Sequence, residues 1–238
     1  MIAEADLFET EVAALQRARQ VLASATSNVG HYQAAMHELA THYAQLVHQS
    51  RRLIARSDRT ERELNRLNAR LKQLSDELEH EARHDNLTGA LNRGAVFESA
   101  RRVLEHSALA VIVLDIDYFK HINDDFGHPT GDAVICELVD RLRAVLDGEG
   151  LVGRVGGEEF SILLPGADLE QAVALAGRIR KAIAGKAFAC LSTRPVTASF
   201  GVSWSAAHAG FEEAYARADK ALYQAKRAGR NRVEFAAD

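Results

Sequence analysis

The sequence predicts an α+β protein, a two-layer domain of helices and strands preceded by an α-helical coiled-coil stalk. Three observations predict it. The first third of the 238-residue chain has no proline before Pro129 and only Gly30 as glycine before Gly89, and its apolar residues recur at helical spacing. Beyond it, apolar runs of strand length alternate with helix-period segments. Within that second part Gly156 and Gly157 stand between the apolar runs Leu151-Val152 and Phe160 to Leu164, the pattern of a hairpin. The expected organisation is a stalk over 1–83 and a globular domain over 84–238.

In the stalk one heptad register runs through two columns. Leu15, Leu22, Val29, Met36, Tyr43, Ser50, Ser57, Leu64, Leu71 and Leu78 form the first. Ala18, Ala25, Tyr32, Leu39, Leu46, Leu53, Thr60, Leu67 and Leu74 form the second. Residues 64 to 78 alternate by three and four, the spacing of a left-handed supercoil, so a parallel dimeric coiled coil is expected, strongest over 61–80. A helix packed on its own domain would not explain the charges on the other faces, Arg62, Glu63, Arg66, Arg70, Lys72 and Glu77. Ser50, Ser57 and Thr60 replace large apolar side chains, so the middle should pair weakly. Ser27-Asn28-Val29-Gly30 carries helix-breaking chemistry and separates a short first helix from the long one; whether that helix folds back or continues stays open.

Asp85 to Arg93 is turn-rich, with Asn86, Thr88 and Gly89 ending the stalk. A helix follows near 93–106, then a buried strand at 109–115 and a helix at about 130–147 with Val134, Leu138, Leu142 and Leu146 on one face. The hairpin comes next, its two glycines expected to take the positive φ of a tight primed turn. A helix near 168–184, a strand over 196–204, a helix over 211–227 and a short strand at 232–235 complete the domain. Helices and strands mixed around a hairpin suit layers packed on one core.

Composition narrows the function. With 47% apolar residues the chain buries a proper core, and its formal charge of -4 with interspersed signs offers no basic face to a nucleic-acid polymer. A small anionic nucleotide needs only a local pocket. Cys136 and Cys190 lack metal-ligand spacing and read as packing residues in a reducing compartment. Among the histidines only His80 and His84 share a spacing of four, and solvated or packed side chains account for them. No apolar run is long enough to span a bilayer, and the acidic stretch Met1 to Thr10 is no signal peptide. A soluble, cytoplasmic protein is expected.

The chemistry gathers at two acidic clusters. The hairpin carries Glu158 and Glu159 at its tip, and the strand from Leu109 ends in Asp115-Ile116-Asp117. If that strand lies beside the hairpin, Asp115 and the two glutamates converge. Carboxylates so gathered repel one another unless a hard cation sits between them, and oxygen ligands at a polyphosphate site suit Mg²⁺. That is the inventory of metal-assisted phosphoryl or nucleotidyl transfer. The plain alternative is a surface turn with two solvated glutamates.

Five blocks then identify a family. Gly156-Gly157-Glu158-Glu159-Phe160 resembles the signature of the GGDEF diguanylate cyclases, with Glu at its third position. The family's other blocks stand in order: Asp85-Asn86-Leu87-Thr88-Gly89-Ala90-Leu91-Asn92-Arg93, Asp115 to Asp124, Gly127-His128-Pro129-Thr130-Gly131-Asp132, and Tyr223 to Asn231. The resemblance implies a mostly antiparallel sheet like the palm of polymerases and nucleotidyl cyclases. It implies two Mg²⁺ per site, with Mn²⁺ as an alternative, held by Asp115, the Ile116 carbonyl, Glu158 and Glu159, and Glu158 as catalytic acceptor of the 3′-hydroxyl proton. It implies nucleotide contacts from the Tyr118 and Phe119 amides, Lys120, Gly157, and the phosphate cations Lys226 and Arg230. Lys120 reads equally as a solvated strand-end charge. Asn123 and Asp132 match the guanine-binding pair, an amide and a carboxylate suited to guanine's donors and acceptors; otherwise they are a turn residue and a helix cap. Asp117 is expected to pair with structure rather than to ligate.

One departure concerns regulation. Many members carry Arg-x-x-Asp, where product dimers bind, before the strand leading to the signature; here that window is Asp147-Gly148-Glu149-Gly150, so no product inhibition through it is expected. Joining two GTP by two phosphodiester bonds needs two half-sites, which the stalk homodimer would supply. The layout is similar to stand-alone SiaD-type cyclases, controlled by a small partner on the stalk, which implies a separate regulatory protein at about residues 1–60. The competing readings are an idle GTP-binding sensor or scaffold acting through its coiled coil, and a coiled-coil interaction protein with an incidental globule.

Overall fold

A computed structural model describes residues 9–24, 28–191 and 194–236. Ala25 of the heptad columns, Ser27 of the helix-breaking run and the Met1 to Phe8 part of the acidic terminus lie outside the described residues. The chain divides into two compact units, Met1–Ser75 and Asp76–Asp238.

In the first unit, α1 (Glu9–Ala23) precedes α2 (Val29–Arg83), which starts where the Asn28 side-chain oxygen accepts from the His31 amide at 3.0 Å, an N-terminal cap. The first helix folds back. Arg17 donates to Glu38 at 3.0 Å through Nε, although 21 residues of continuous helix would separate them by about 30 Å. Ala14 and Ala18 are buried, and Ala35, Leu39, His42 and Leu46 of α2 are half-buried. A single parallel register from Leu15 to Leu78 is therefore corrected: the reversal separates the α1 residues from the α2 seam. Farther along α2, Leu64, Leu67 and Leu71 are more than half exposed.

In the second unit a six-stranded sheet has the order β1-β3-β4-β2-β5-β6. Its strands are β1 (Leu91–Asn92), β2 (Leu109–Ile116), β3 (Leu151–Arg154), β4 (Glu159–Pro165), β5 (Ala198–Ser205) and β6 (Val233–Phe235). The central pairs β2/β4, β2/β5 and β3/β4 are antiparallel, and the two edge pairs are parallel. This is the expected mostly antiparallel, palm-like sheet. Helices α3 (Arg93–Leu104), α4 (Phe119–Phe126), α5 (His128–Leu146), α6 (Leu169–Ala184) and α7 (Phe211–Arg227) surround it.

All eight residues of β2 are buried, because the sheet is covered on both faces. Ala110, Ile112, Leu114 and Ile116 pack into one core with Phe119, Leu138 and Ile179 of α4, α5 and α6. The intervening Leu109, Val111 and Val113 pack into a second with Val96 of α3 and Ala218 of α7. Strand alternation sends successive side chains to opposite faces, so an unbroken apolar run marks a strand with a helical layer on each side. Close approach of α7 depends on Gly201: a Cβ there would lie 2.0 Å from the Ala218 carbonyl oxygen. Asn92 caps α3, and Asp168 with Gln171 forms a reciprocal capping box on α6, which sets where both helices begin.

The turn after β3 differs from the expected one. Neither Gly156 nor Gly157 has a positive φ. Instead of a two-residue primed turn, residues 156–158 form a wider loop, closed by Val155 and Gly156 amides donating to the Glu159 carbonyl at 2.9 and 3.2 Å. Gly156 lies close to the Glu159 side chain: a Cβ would stand 2.6 Å from its Oε2 and oblige that carboxylate to move.

Candidate active site

The end of β2 and the hairpin tip meet. Asp115 lies directly across from Glu159 on β4 and from Ser199 on β5, and the Ile116 amide donates to the Glu158 carbonyl at 3.3 Å. The Asp115 side chain is 8% exposed, and its Oδ2 lies 2.9 Å from Lys226 Nζ. Burial pushes its carboxyl above the usual range; Lys226 opposes this, and the charges of Glu159 and Asp117 add to it. Glu158 is likewise pushed up by burial, then by the charges of Asp115 and Glu159, against Lys226. The three carboxylates thus feel one another. Among the described residues, however, no three acidic, histidine or cysteine side chains form a cation cage; the Lys226 ammonium is the positive charge seated on Asp115.

Just past β2 the chain turns into α4. Tyr118 takes the left-handed conformation, with φ of 58°, and caps the helix without a side-chain bond. The first amides of a helix have no intrahelical partner, and those of Tyr118, Phe119 and Lys120 meet no backbone acceptor among the described residues. They form an anion-attracting end. Arg230 lies over the Tyr118 ring, 4.4 Å from its centroid, and Nη1 donates to the tyrosine oxygen at 3.2 Å. Lys120 is exposed.

The base-reading candidates lie farther along α4 and on α5. Asn123 Oδ1 is buried without a partner, and a Cβ on Gly131 would lie 2.0 Å from it. Gly131 therefore leaves the space that Asn123 occupies, and the exposed Asp132 follows it on α5. An unpaired buried acceptor is costly in the free protein and is relieved by a ligand donor.

Asp117 is structural, as expected. Its carboxylate accepts from Thr197 Oγ1 and Ser199 Oγ, both at 2.7 Å, and from the Asn231 amide at 3.0 Å. Sequence reasoning overlooked two further residues. Arg154 donates to the Gly157 carbonyl from Nε and Nη2 at 3.2 and 2.7 Å, and to both Asp85 oxygens from Nη1 at 3.2 and 3.3 Å. Asp85 also accepts from the Thr88 amide and hydroxyl. Burial works against the Asp85 charge, but Thr88 and Arg154 outweigh it and hold the carboxyl below its ordinary value. The turn after the stalk thus clamps the hairpin loop. Asp85 opens a quoted block and Arg154 stands just ahead of the signature, but their separation of 69 residues carries no local signal.

The chain is similar to known proteins. The family model described as "Diguanylate cyclase, GGDEF domain" matches residues 82–232. Diguanylate cyclase DgcM of Escherichia coli is 41% identical over 167 residues, covering 68% of this chain but only 40% of that protein. The coiled coil and GGDEF domain of DgcB from Caulobacter crescentus, solved with c-di-GMP, superposes with a TM-score of 0.68 at 31% identity, over 77% of this chain and 99% of that one. SiaD of Pseudomonas aeruginosa, solved with its activator SiaC, covers 95% of this chain and 85% of its own, with a TM-score of 0.64 at 29% identity. With the signature loop set against β2 and the family model spanning 82–232, the chain belongs to the GGDEF family of diguanylate cyclases.

Proposed function

We propose that this chain is a diguanylate cyclase that condenses two GTP into cyclic di-GMP and two pyrophosphates, as a homodimer with one GTP per domain. The observation that carries the reading is the coupling of Asp115, Glu158 and Glu159 at the meeting of β2 and the hairpin, beside the α4 N-terminus. Family membership and the cyclase names of its relatives support it.

The residues fit an oxygen-ligated divalent ion. Burial disfavours the charges of Asp115 and Glu158; Glu159 and Asp117 add to this at Asp115, and Asp115 and Glu159 add to it at Glu158. An ammonium already sits on Asp115. Asp115, the Ile116 carbonyl, Glu158 and Glu159 would hold two Mg²⁺, or Mn²⁺. Bound there, the ions neutralise triphosphate charge and stabilise the entering and leaving oxygens of an in-line displacement.

The chain's own groups do the rest. The amides of Tyr118 and Phe119 and the side chains of Lys120, Lys226 and Arg230 hold the triphosphate, with Gly157 leaving open space beside the loop. Lys226, now paired with Asp115, would be free to hold phosphate where a divalent ion took its place on that carboxylate. Asn123 and Asp132 read guanine. Glu158, whose carboxyl burial pushes above its usual range, accepts the proton from the 3′-hydroxyl. That oxygen bonds to the α-phosphorus of the partner's GTP, the bond to pyrophosphate breaks, and the symmetric event closes the ring. The regions 1–83 and 84–238 act as stalk and catalytic domain. The stalk raises the effective concentration of the second half-site and offers about residues 1–60 to a regulatory protein, as SiaD's solution with an activator suggests by likeness. We place the reaction in the cytoplasm; no helix among the described residues is long and apolar enough to cross a membrane.

An idle GTP-binding scaffold is the second reading, favoured only by Lys226 neutralising Asp115. Incubating the full chain with GTP and Mg²⁺ and separating the nucleotides decides between them. Cyclic di-GMP is expected from the natural chain and, for Glu158→Gln, a loss of at least about a hundredfold, the lower range for general-base removal. GTP bound but returned intact under Mg²⁺ and Mn²⁺ would establish the scaffold.

A further inference from the structure

Three non-glycine residues with left-handed backbone, Tyr118, Arg230 and Asn231, with φ of 58°, 61° and 46°, converge beside the phosphate end of the site. Such conformations are disfavoured for residues carrying a Cβ and persist where surroundings over-determine them. The surroundings here are specific. The Asn231 amide donates to buried Asp117, which the hydroxyls of Thr197 and Ser199 already anchor to the strand region. From α6, packed on the sheet face opposite α7, Arg180 Nη1 reaches Asn231 and donates to its carbonyl and its Oδ1, both at 3.3 Å. The Arg230 amide donates to the Ala225 carbonyl at 3.0 Å, and its guanidinium is laid on Tyr118.

We propose that Arg180 is a positioning residue for the triphosphate, acting through Asn231 to hold Arg230 at the phosphate end. The inference rests on the reading of Arg230 as a phosphate cation. Arg180 itself touches neither Arg230 nor the α4 amides. Its guanidinium fixes both oxygens of the one residue whose backbone follows Arg230, and Asp117 fixes that residue's amide. Held by a donor on one side and an acceptor on the other, the left-handed pair has one resting place, and the Arg230 side chain starts from a defined origin. A pre-placed cation loses less freedom on binding phosphate than a wandering one. Removing Arg180 therefore weakens the grip on terminal phosphates and leaves base recognition untouched, because Asn123 and Asp132 lie on α4 and α5.

The test uses the full chain and 3′-deoxy-GTP with Mg²⁺, which lacks the attacking hydroxyl, with GMP as comparison ligand. Arg180→Ala should weaken 3′-deoxy-GTP roughly tenfold, the scale of a lost hydrogen bond from a charged group, and leave GMP affinity unchanged. Arg180→Lys should restore most of the loss, because one nitrogen makes both contacts. The double variant Arg180→Ala with Arg230→Ala should bind no more weakly than Arg230→Ala alone. Asn231→Gly tolerates the left-handed backbone and removes the Oδ1 acceptor, and it should weaken the triphosphate in the same sense without depending on how Arg180→Ala folds. Losses at Arg180 and Arg230 that multiply, or equal losses for GMP, would overturn the positioning role alone. An Arg230→Ala variant with undiminished triphosphate affinity would overturn the phosphate reading as well.

Discussion

Gly131 shows how much one missing side chain decides. Its absent Cβ leaves Asn123 room, and a methyl there would stand 2.0 Å from the Asn123 oxygen and 3.0 Å from the Phe119 ring. Gly131→Ala should displace Asn123 and lower the preference for GTP over ATP about tenfold, the scale of one specific hydrogen bond, as read from kcat/KM on both nucleotides. Asp85 acts on stability. Its folded pKa lies below the ordinary 3.8, so its contribution is complete above that value and fades as the pH falls through the folded one. Asp85→Asn should cost about 1–3 kcal/mol at neutral pH. Urea unfolding should show the gap to the natural chain constant down to about pH 5 and closing below about pH 4. The quoted blocks named most of these candidate positions, Asp115, Glu158, Asn123 and Arg230 among them. The Arg154 clamp and the Arg180 tie were not readable, because each joins residues distant in sequence through side-chain geometry.

Elements were legible where their period was long. Helix α7 runs over the expected 211–227, and β2 exceeds its expected strand by one residue. Helix α4 was missed. Phe119–Phe126 is eight residues with paired Asp124 and Asp125 and no side-chain cap, too short to display a helical period, and packing of Phe119 and Ile122 on the sheet holds it. Strand β1 has two residues and no period at all. The hairpin was legible as a hairpin, but its glycines serve close approach and an open tip rather than positive φ. The α7–β5 contact belongs to this scale too. Gly201→Ala would push a methyl into the α7 backbone at Ala218 and Leu222, costing about 3 kcal/mol. It should also weaken GTP, since α7 carries Lys226; urea unfolding and nucleotide titration check the two effects.

At the scale of the molecule, the domain holds one set of candidate acidic, phosphate and guanine-reading groups, while cyclic di-GMP, the product of the proposed reaction, contains two guanylates joined symmetrically. Under that proposal a single copy is half a catalyst. The exposed Leu64, Leu67 and Leu71 of α2 are the apolar seam from which a stalk dimer would be built, and the fold-back of α1, which heptad counting left open, leaves that part of the seam free of α1. The idea of half-sites is tested most directly by co-expressing differently tagged natural and Glu158→Gln chains at varied ratios, isolating the dimers and separating the products formed from GTP and Mg²⁺. The account predicts that cyclic di-GMP falls as the square of the natural fraction, while mixed dimers release the linear dinucleotide with a single phosphodiester bond. A cyclic yield falling in simple proportion to that fraction, with no linear product, would show that each domain works alone and contradict it.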